Sequence, residues 1–250
     1  RICLSRAPPA KSQCRERCAE MVLFLSWGRP SSHQRKACVD TSGGVFNYDA
    51  DYRGASSSHR GGPEAEAALS GGGFHVNRAR VLLGSGPDTF RRAKAALRAW
   101  RHFRLGWAFV DPETAPVEKG TKFCVCVREI LPWVMMPLQI VYVNDIMTSG
   151  DGHAGAGRRA AEESRPSNHL KACFGFGSGT LRGHLLAGEE WFSVEWDQND
   201  QVYYEIFSFS KPAHLLSTIG YPYVKLRQKY FAQESARAFI ADVTSQQSPT

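Results

Sequence analysis

Glu190 and Glu205 fall where two apolar strands are expected, in the stretch HLLAGEEWFSVEWDQNDQVYYEIFSFSKPAH (184–214). A carboxylate on an apolar face must find a cation, stay protonated, or serve as an acid, a base or an anchor for a polar ligand. With Asn199 and Asp200 at the loop tip, one face carries Glu190, Phe192, Val194 and Trp196 opposite Phe209, Phe207, Glu205 and Tyr203. This register gathers aromatic side chains on one buried face, and a one-residue slip scatters them. Both glutamates then point inward.

The last helical segment, YPYVKLRQKYFAQESARAFIADV (221–243), offers a cation. Tyr223, Arg227, Tyr230, Phe231, Glu234 and Ala238 recur at helical spacing as one stripe. Arg227 is therefore expected to face the sheet and meet Glu205, directly or around a small ligand, with Tyr203 and Tyr230 beside them. A buried ion pair that only fixes the helix register is an equal reading. A glycosidase pair is excluded, because Glu190 and Val194 (which faces Glu205) are roughly 13 Å apart at ~3.3 Å per residue, against about 5–9.5 Å for such carboxylates.

His184 precedes Glu189 and Glu190 by a few residues, with no nucleophile placed beside it. A loop-anchoring histidine is the default and a ligand contact the alternative. The eight histidines form no HxH or HExxH motif, and Cys38, Cys124, Cys126 and Cys173 form no CxxC pair. No metal and no cofactor is expected. Cys124 and Cys126 leave the same face of one strand, a poor disulfide geometry, which points to a reducing compartment. Gly84 and Gly86 lack the third glycine of a dinucleotide loop, and GFGSGT (175–180) lacks the Lys-Ser/Thr ending of a phosphate loop, so turns or bulges are expected at both.

The elements that must position these residues run strands, helix, strands, helix. HVNRARVLL (75–83), GWAFVD (106–111), TKFCVCVREI (121–130), PLQIVYV (137–143) and ACFGFGSG (172–179) read as strands. TFRRAKAALRAWRHF (89–103) reads as a helix with Phe90, Ala93, Leu97 and Trp100 on one stripe. Short connections between successive strands predict an antiparallel sheet, an α+β fold covered by the final helix. Residues 1–20 read as a leader, 21–243 as one domain with a disordered insertion at 145–170, and 244–250 as a tail. The formal charge is +7, of which the first twenty residues carry +3. The remainder is too mild to argue for nucleic acid. Arg91, Lys94, Arg98 and Arg101 form a ridge suited to peripheral contact with anionic lipid. No apolar run approaches the ~20 residues of a membrane span, so a cytoplasmic protein is expected and a secreted one is not.

FLSWGRP (24–30), FNYD (46–49), ARVLLGSG (79–86), LGWAFVDP (105–112), FGSGTLRGHLLAGEEWF (176–192), SFSKPAH (208–214) and GYPYVKLRQKYF (220–231) together resemble the domain-of-unknown-function family nineteen-ninety, in its plant branch. The matching motif residues are Gly179, Thr180, Leu181, Gly183, His184, Gly188, Glu189, Glu190 and Phe192, followed by Pro212. Lys211 stands where arginine is common, so bidentate anion binding is not implied there. The resemblance implies a START-like helix-grip fold, a curved antiparallel sheet around a long C-terminal helix enclosing a cavity. It establishes no activity. The expected role is therefore to bind a small apolar or amphipathic ligand through Glu205, Arg227, Tyr203, Tyr230, Glu190 and His184. The alternatives are a chloroplast outer-envelope protein of channel-like character, which the family's plant members imply, and an enzyme of the same fold using an inward glutamate.

Overall fold

The computed structural model describes residues 23–57, 62–130, 132–147 and 170–245. The expected leader and the centre of the expected insertion lie outside these residues. Asp145 to Met147 and Leu170, at the edges of that insertion, belong to strands, and the last helix continues to Ser245.

The elements in chain order are β1 (Leu25–Ser26), α1 (Ser32–Thr41), α2 (Pro63–Gly71), β2 (His75–Ser85), α3 (Gly86–Arg98), β3 (Ala108–Asp111), β4 (Lys122–Arg128), β5 (Trp133–Met147), β6 (Leu170–Thr180), β7 (Leu186–Asp197), β8 (Gln201–Pro212), α4 (Leu215–Ile219) and α5 (Tyr221–Ser245). The strands form one curled antiparallel sheet in the order β2-β8-β7-β6-β5-β4-β3, with β1 on β5. Each strand from β3 to β8 pairs with its sequence neighbour, and β2 joins the far edge beside β8. With α5 across the concave inner face, this is the expected helix-grip fold.

Inside, Phe90, Ala93, Leu97 and Trp100 are buried as the helical stripe predicts. The α3 helix ends earlier than expected. Trp100 takes a left-handed backbone (φ 56°), and the chain turns into a short 3-10 helix, Arg101–Phe103. This sends His102 and Phe103 into an aromatic core with Phe176, Phe192, Tyr204 and Phe239.

The stripe of α5 differs from the expected one. Its buried residues are Ala232, Ser235, Ala236, Phe239 and Val243, and of the expected set only Phe231 packs against the core. Small residues let the helix approach the sheet, with Ser235 bonded to the Tyr204 hydroxyl at 3.0 Å and Phe239 stacked on its ring. Tyr223 and Tyr230 stay on the rim, exposed.

The convex outer face is also buried, which the sequence does not announce. Glycines 175, 177 and 179 fall on this side of β6, and the ring of Tyr142 lies so close to Gly177 that an added Cβ would approach it to 2.3 Å. GFGSGT is thus the middle of a strand, a flat bed for the stacked Tyr142 and Trp191 rings, whose centroids are 5.3 Å apart. Residues 42–57 and helices α1 and α2 cover this side. One outer cluster gathers Leu69, Phe74, Cys173, Trp191, Phe207 and Phe209, and another contains Cys38, Cys124 and Cys126. The Cys124 and Cys126 sulfurs lie 3.8 Å apart, on one face as expected.

Two buried faces explain why the hairpin register is not the one expected. The loop has three residues, 198–200, with Asp200 in the left-handed region (φ 66°) and its N–H donated to the Asp197 carbonyl. That loop length and conformation is a standard hairpin solution. Phe192 pairs with Ile206, Val194 with Tyr204 and Glu195 with Tyr203. The faces of β8 are therefore exchanged: Phe209, Phe207, Glu205 and Tyr203 point outward. Aromatic side chains are buried on both sides, so burial alone cannot select the register. Among the described residues, no helix is long and apolar enough to cross a membrane.

Candidate functional site beneath the first half of the last helix

Glu189 and Glu190 are consecutive strand residues, so their side chains leave opposite faces of the sheet. Glu189 points outward and is buried. Its carboxylate accepts hydrogen bonds from the Tyr48 hydroxyl (2.6 Å), the Gly54 N–H (2.7 Å), the Ser56 N–H (3.1 Å) and the Ser56 hydroxyl (2.8 Å). Burial pushes its pKa up, and these bonds pull it back. It ties the N-terminal covering segment to the sheet. The neighbouring Gly188 must be glycine, since a Cβ there would lie 1.9 Å from the Phe209 carbonyl oxygen.

Glu190 points inward and has no hydrogen-bond or ion-pair partner among the described residues. Burial alone pushes its pKa up to about 8. Its strand neighbours are Ser178 on β6 and Ser208 on β8, and Asn77 on β2 pairs with Ser208. These residues make a polar row across four strands. Two residue pairs further on, on the same face, Phe192 and Ile206 begin the apolar core.

The helix above this row explains why Glu190 remains partly accessible despite facing inward. The first half of α5 contributes no buried residue; all five lie from Ala232 onward. Gln228 joins helix to sheet through its Nε2, which donates to the Ser210 hydroxyl at 2.9 Å. Its Oε1 is buried without a donor. The grip is sealed at one end and loosely closed over Glu190 at the other. Two open clefts of about 520 and 450 Å³ lie elsewhere, around Arg98, Arg104 and Glu113.

The expected Glu205–Arg227 meeting does not occur. Glu205 lies on the outer face with Glu195, and both bond Arg80, the Glu205 contact at 2.8 Å. The Arg80 guanidinium lies 4.3 Å from the centre of the Tyr203 ring, so Tyr203 belongs to this outer cluster too. Arg227 sits at the rim, 3.1 Å from Glu129, over Trp107 and beside Tyr230. The one-residue register difference and the rotated helix stripe separate the two. His184 is buried in the β6–β7 turn, where its Nδ1 accepts the Leu186 N–H at 2.9 Å and burial lowers its pKa to about 4. It anchors that turn. Arg91, Lys94, Arg98 and Arg101 each have an acidic partner, in Asp88, Asp145 or Asp242.

Three contributors escaped the sequence reading. Arg80 lies in the expected strand 75–83, whose alternation gives no sign that its outer face is covered. Gln228 lay just off the assumed stripe. His102 is fully buried among aromatic rings, its two nitrogens unbonded and its pKa lowered to about 3 by burial; only the helix end at Trp100 could have pointed to it.

The chain is 52% identical over 224 residues to a UPF0548 protein of Arabidopsis thaliana, covering 90% of this chain and 100% of that one. It is 31% identical over 181 residues to a UPF0548 protein of Dictyostelium discoideum, covering 70% and 75%. Among solved structures it is similar to a norcoclaurine synthase point mutant of Thalictrum flavum, with TM-score 0.41, 10% identity and coverage of 70% and 97%. The helix-grip description stands on strand order and helix position without that likeness. The family model described as "Domain of unknown function (DUF1990)" matches residues 61–238, so the chain belongs to that family.

Proposed function

We propose that this domain binds a small, partly apolar molecule between the first half of α5 and the inner face of the sheet, with Glu190 as its polar anchor. The observation that carries this reading is Glu190 itself, an inward, partly accessible carboxyl group without a partner among the described residues. A buried polar group is ordinarily satisfied by the protein, as Glu189 is, one residue away. The wall beside it supplies apolar surface from Phe192 and Phe231 and polar groups from Ser178 and Ser208, the mixture a small-molecule site uses. Peripheral contact with anionic lipid through the α3 ridge is weakened by the acidic partners of its four basic side chains and forms no part of this reading.

Native mass spectrometry after exposure to plant-cell extract tests it. Wild-type protein is expected to carry a reproducible extra mass that Glu190→Phe, which fills the space with a ring, does not retain. An unmodified mass for both proteins, or the same adduct on both, would count against the site.

A further inference from the structure

Resting on that reading, we infer that the site selects a lipophilic amine, a molecule carrying a protonated nitrogen on an apolar body. Two acceptors at this row have no donor among the described residues, the Glu190 carboxyl and the Gln228 amide oxygen. Glu190 offers two acceptor oxygens, and Gln228 offers a buried carbonyl oxygen, Oε1, with no donor. The Ser210–Gln228 contact, made by Nε2, places the Gln228 amide beside Ser210, one row along the sheet from Glu190, because Ser210 pairs with Gly188 and Ser208 with Glu190. A ligand with several N–H groups and positive charge completes both acceptors, and charge-assisted bonds to a carboxylate are the stronger kind.

The charged surroundings point the same way. Burial is the influence that raises Glu190, and among the described residues no lysine or arginine pairs with it. Of the titratable groups facing this space, His75 on β2 is held towards its neutral form by burial and by Lys225. Tyr204 on β8 is neutral because burial raises it. On α5, Arg227 is engaged by Glu129, and Lys225 lies over the Tyr221 ring at 4.7 Å. An anionic head group, such as that of a fatty acid, would keep Glu190 in its neutral form and gain no ion pair, whereas a protonated amine gains one with the ionised form. The overall +7 charge would draw anions from solution, and the local chemistry opposes it. The Phe192 and Phe231 rings, 6.4 Å apart, suit an apolar body and a neighbouring cation.

Octylamine, 1-octanol and octanoate share one chain and differ only in the head group. Calorimetric titration of the full chain at pH 7 should give octylamine about tenfold tighter binding than octanol, with octanoate weakest. Glu190→Gln, which keeps the shape, should remove that preference, so that the ratio of octylamine to octanol affinity falls from about ten to about one. Amine binding should expel a proton from Glu190. Its affinity should then rise about tenfold per pH unit below about pH 8 and level off above, while octanol stays flat. Equal binding of the three probes, or strongest binding of octanoate, would overturn the amine assignment and leave the ligand site standing. If none of the three binds at millimolar concentration and the native mass shows no adduct, both readings fail.

Discussion

Glu189→Ala lowers the free energy of unfolding by about 4 kcal/mol, whereas Glu190→Gln, one residue along, lowers it not at all. The large loss follows from the donors that Glu189 leaves behind. Two are backbone N–H groups, of Gly54 and Ser56, and two are hydroxyls, of Tyr48 and Ser56. A buried donor stripped of its acceptor costs about 1–3 kcal/mol, and four strand together, although some will find water as the segment loosens. Limited proteolysis should then cut within residues 42–57 faster in the variant. Urea denaturation is the direct measurement, and a loss below about 1 kcal/mol would show that this segment is not held by Glu189.

At Glu190 the sign reverses. Its folded pKa is raised to about 8, above the ordinary carboxyl value, so the folded protein holds the proton more tightly than the unfolded chain does. The stability associated with that proton is complete below about pH 4 and is lost progressively as pH rises towards about 8. Glutamine removes this dependence. The variant should match wild type near pH 4 and exceed it by roughly 2 kcal/mol at pH 8, a figure discounted for the group's partial exposure.

Arg80→Met should cost about 3 kcal/mol at pH 7. Glu195 and Glu205 are both buried on the outer face and both bond Arg80. Arg78 also reaches Glu205, at 3.7 Å. Methionine fills much of the arginine stem's volume, so the loss reports mainly the stranded charge. Burial first, and then the charge of Glu205, already push the pKa of Glu195 up, and Arg80 restrains it. Without Arg80 that pKa climbs further, and the deficit should shrink as pH falls towards 5 and the carboxyl takes up a proton. Denaturation of both proteins at pH 5 and pH 7 gives the comparison. A deficit that does not change with pH would mean that lost packing, rather than charge, dominates.

These outcomes also mark where sequence patterns stopped being informative. The sheet, its antiparallel order and the long last helix followed from strand-length runs separated by short turns. The α3 stripe came out correctly because its buried positions are large and apolar. The α5 stripe did not, because Ala232, Ser235 and Ala236 carry little apolar signal while Tyr223 and Tyr230 carry much and stay at the rim. The β7–β8 register was misread for a related reason. Alternation identifies two faces, but when residues 42–57 and α2 cover the second one, neither face is marked by polarity. Those covering residues have no periodicity of their own, and their attachment depends on single side chains such as Asn47, which donates to the Leu186 carbonyl at 3.0 Å. Glu190 does lie on the inner face with Phe192 and Val194, although the aromatic residues expected opposite them on β8 point outward. Its expected companion Glu205 was lost to the one-residue shift. Much of the family motif proves to be structural. Thr180 and Asn47 bond each other at 2.5 Å, Gly188 avoids the Phe209 carbonyl, and Glu189 holds Tyr48. Glu190 is the motif carboxyl left without such a task.

The most direct measurement is the titration of the Glu190 carboxyl carbon by nuclear magnetic resonance in the free protein, with the signal assigned by its disappearance in Glu190→Gln. An inward, unpartnered carboxyl should titrate with a midpoint near 8, and saturation with octylamine should bring that midpoint down by a unit or more, at roughly 1.4 kcal/mol per unit. A midpoint near that of an ordinary surface glutamate, unmoved by the amine, would mean that Glu190 faces bulk water and anchors nothing.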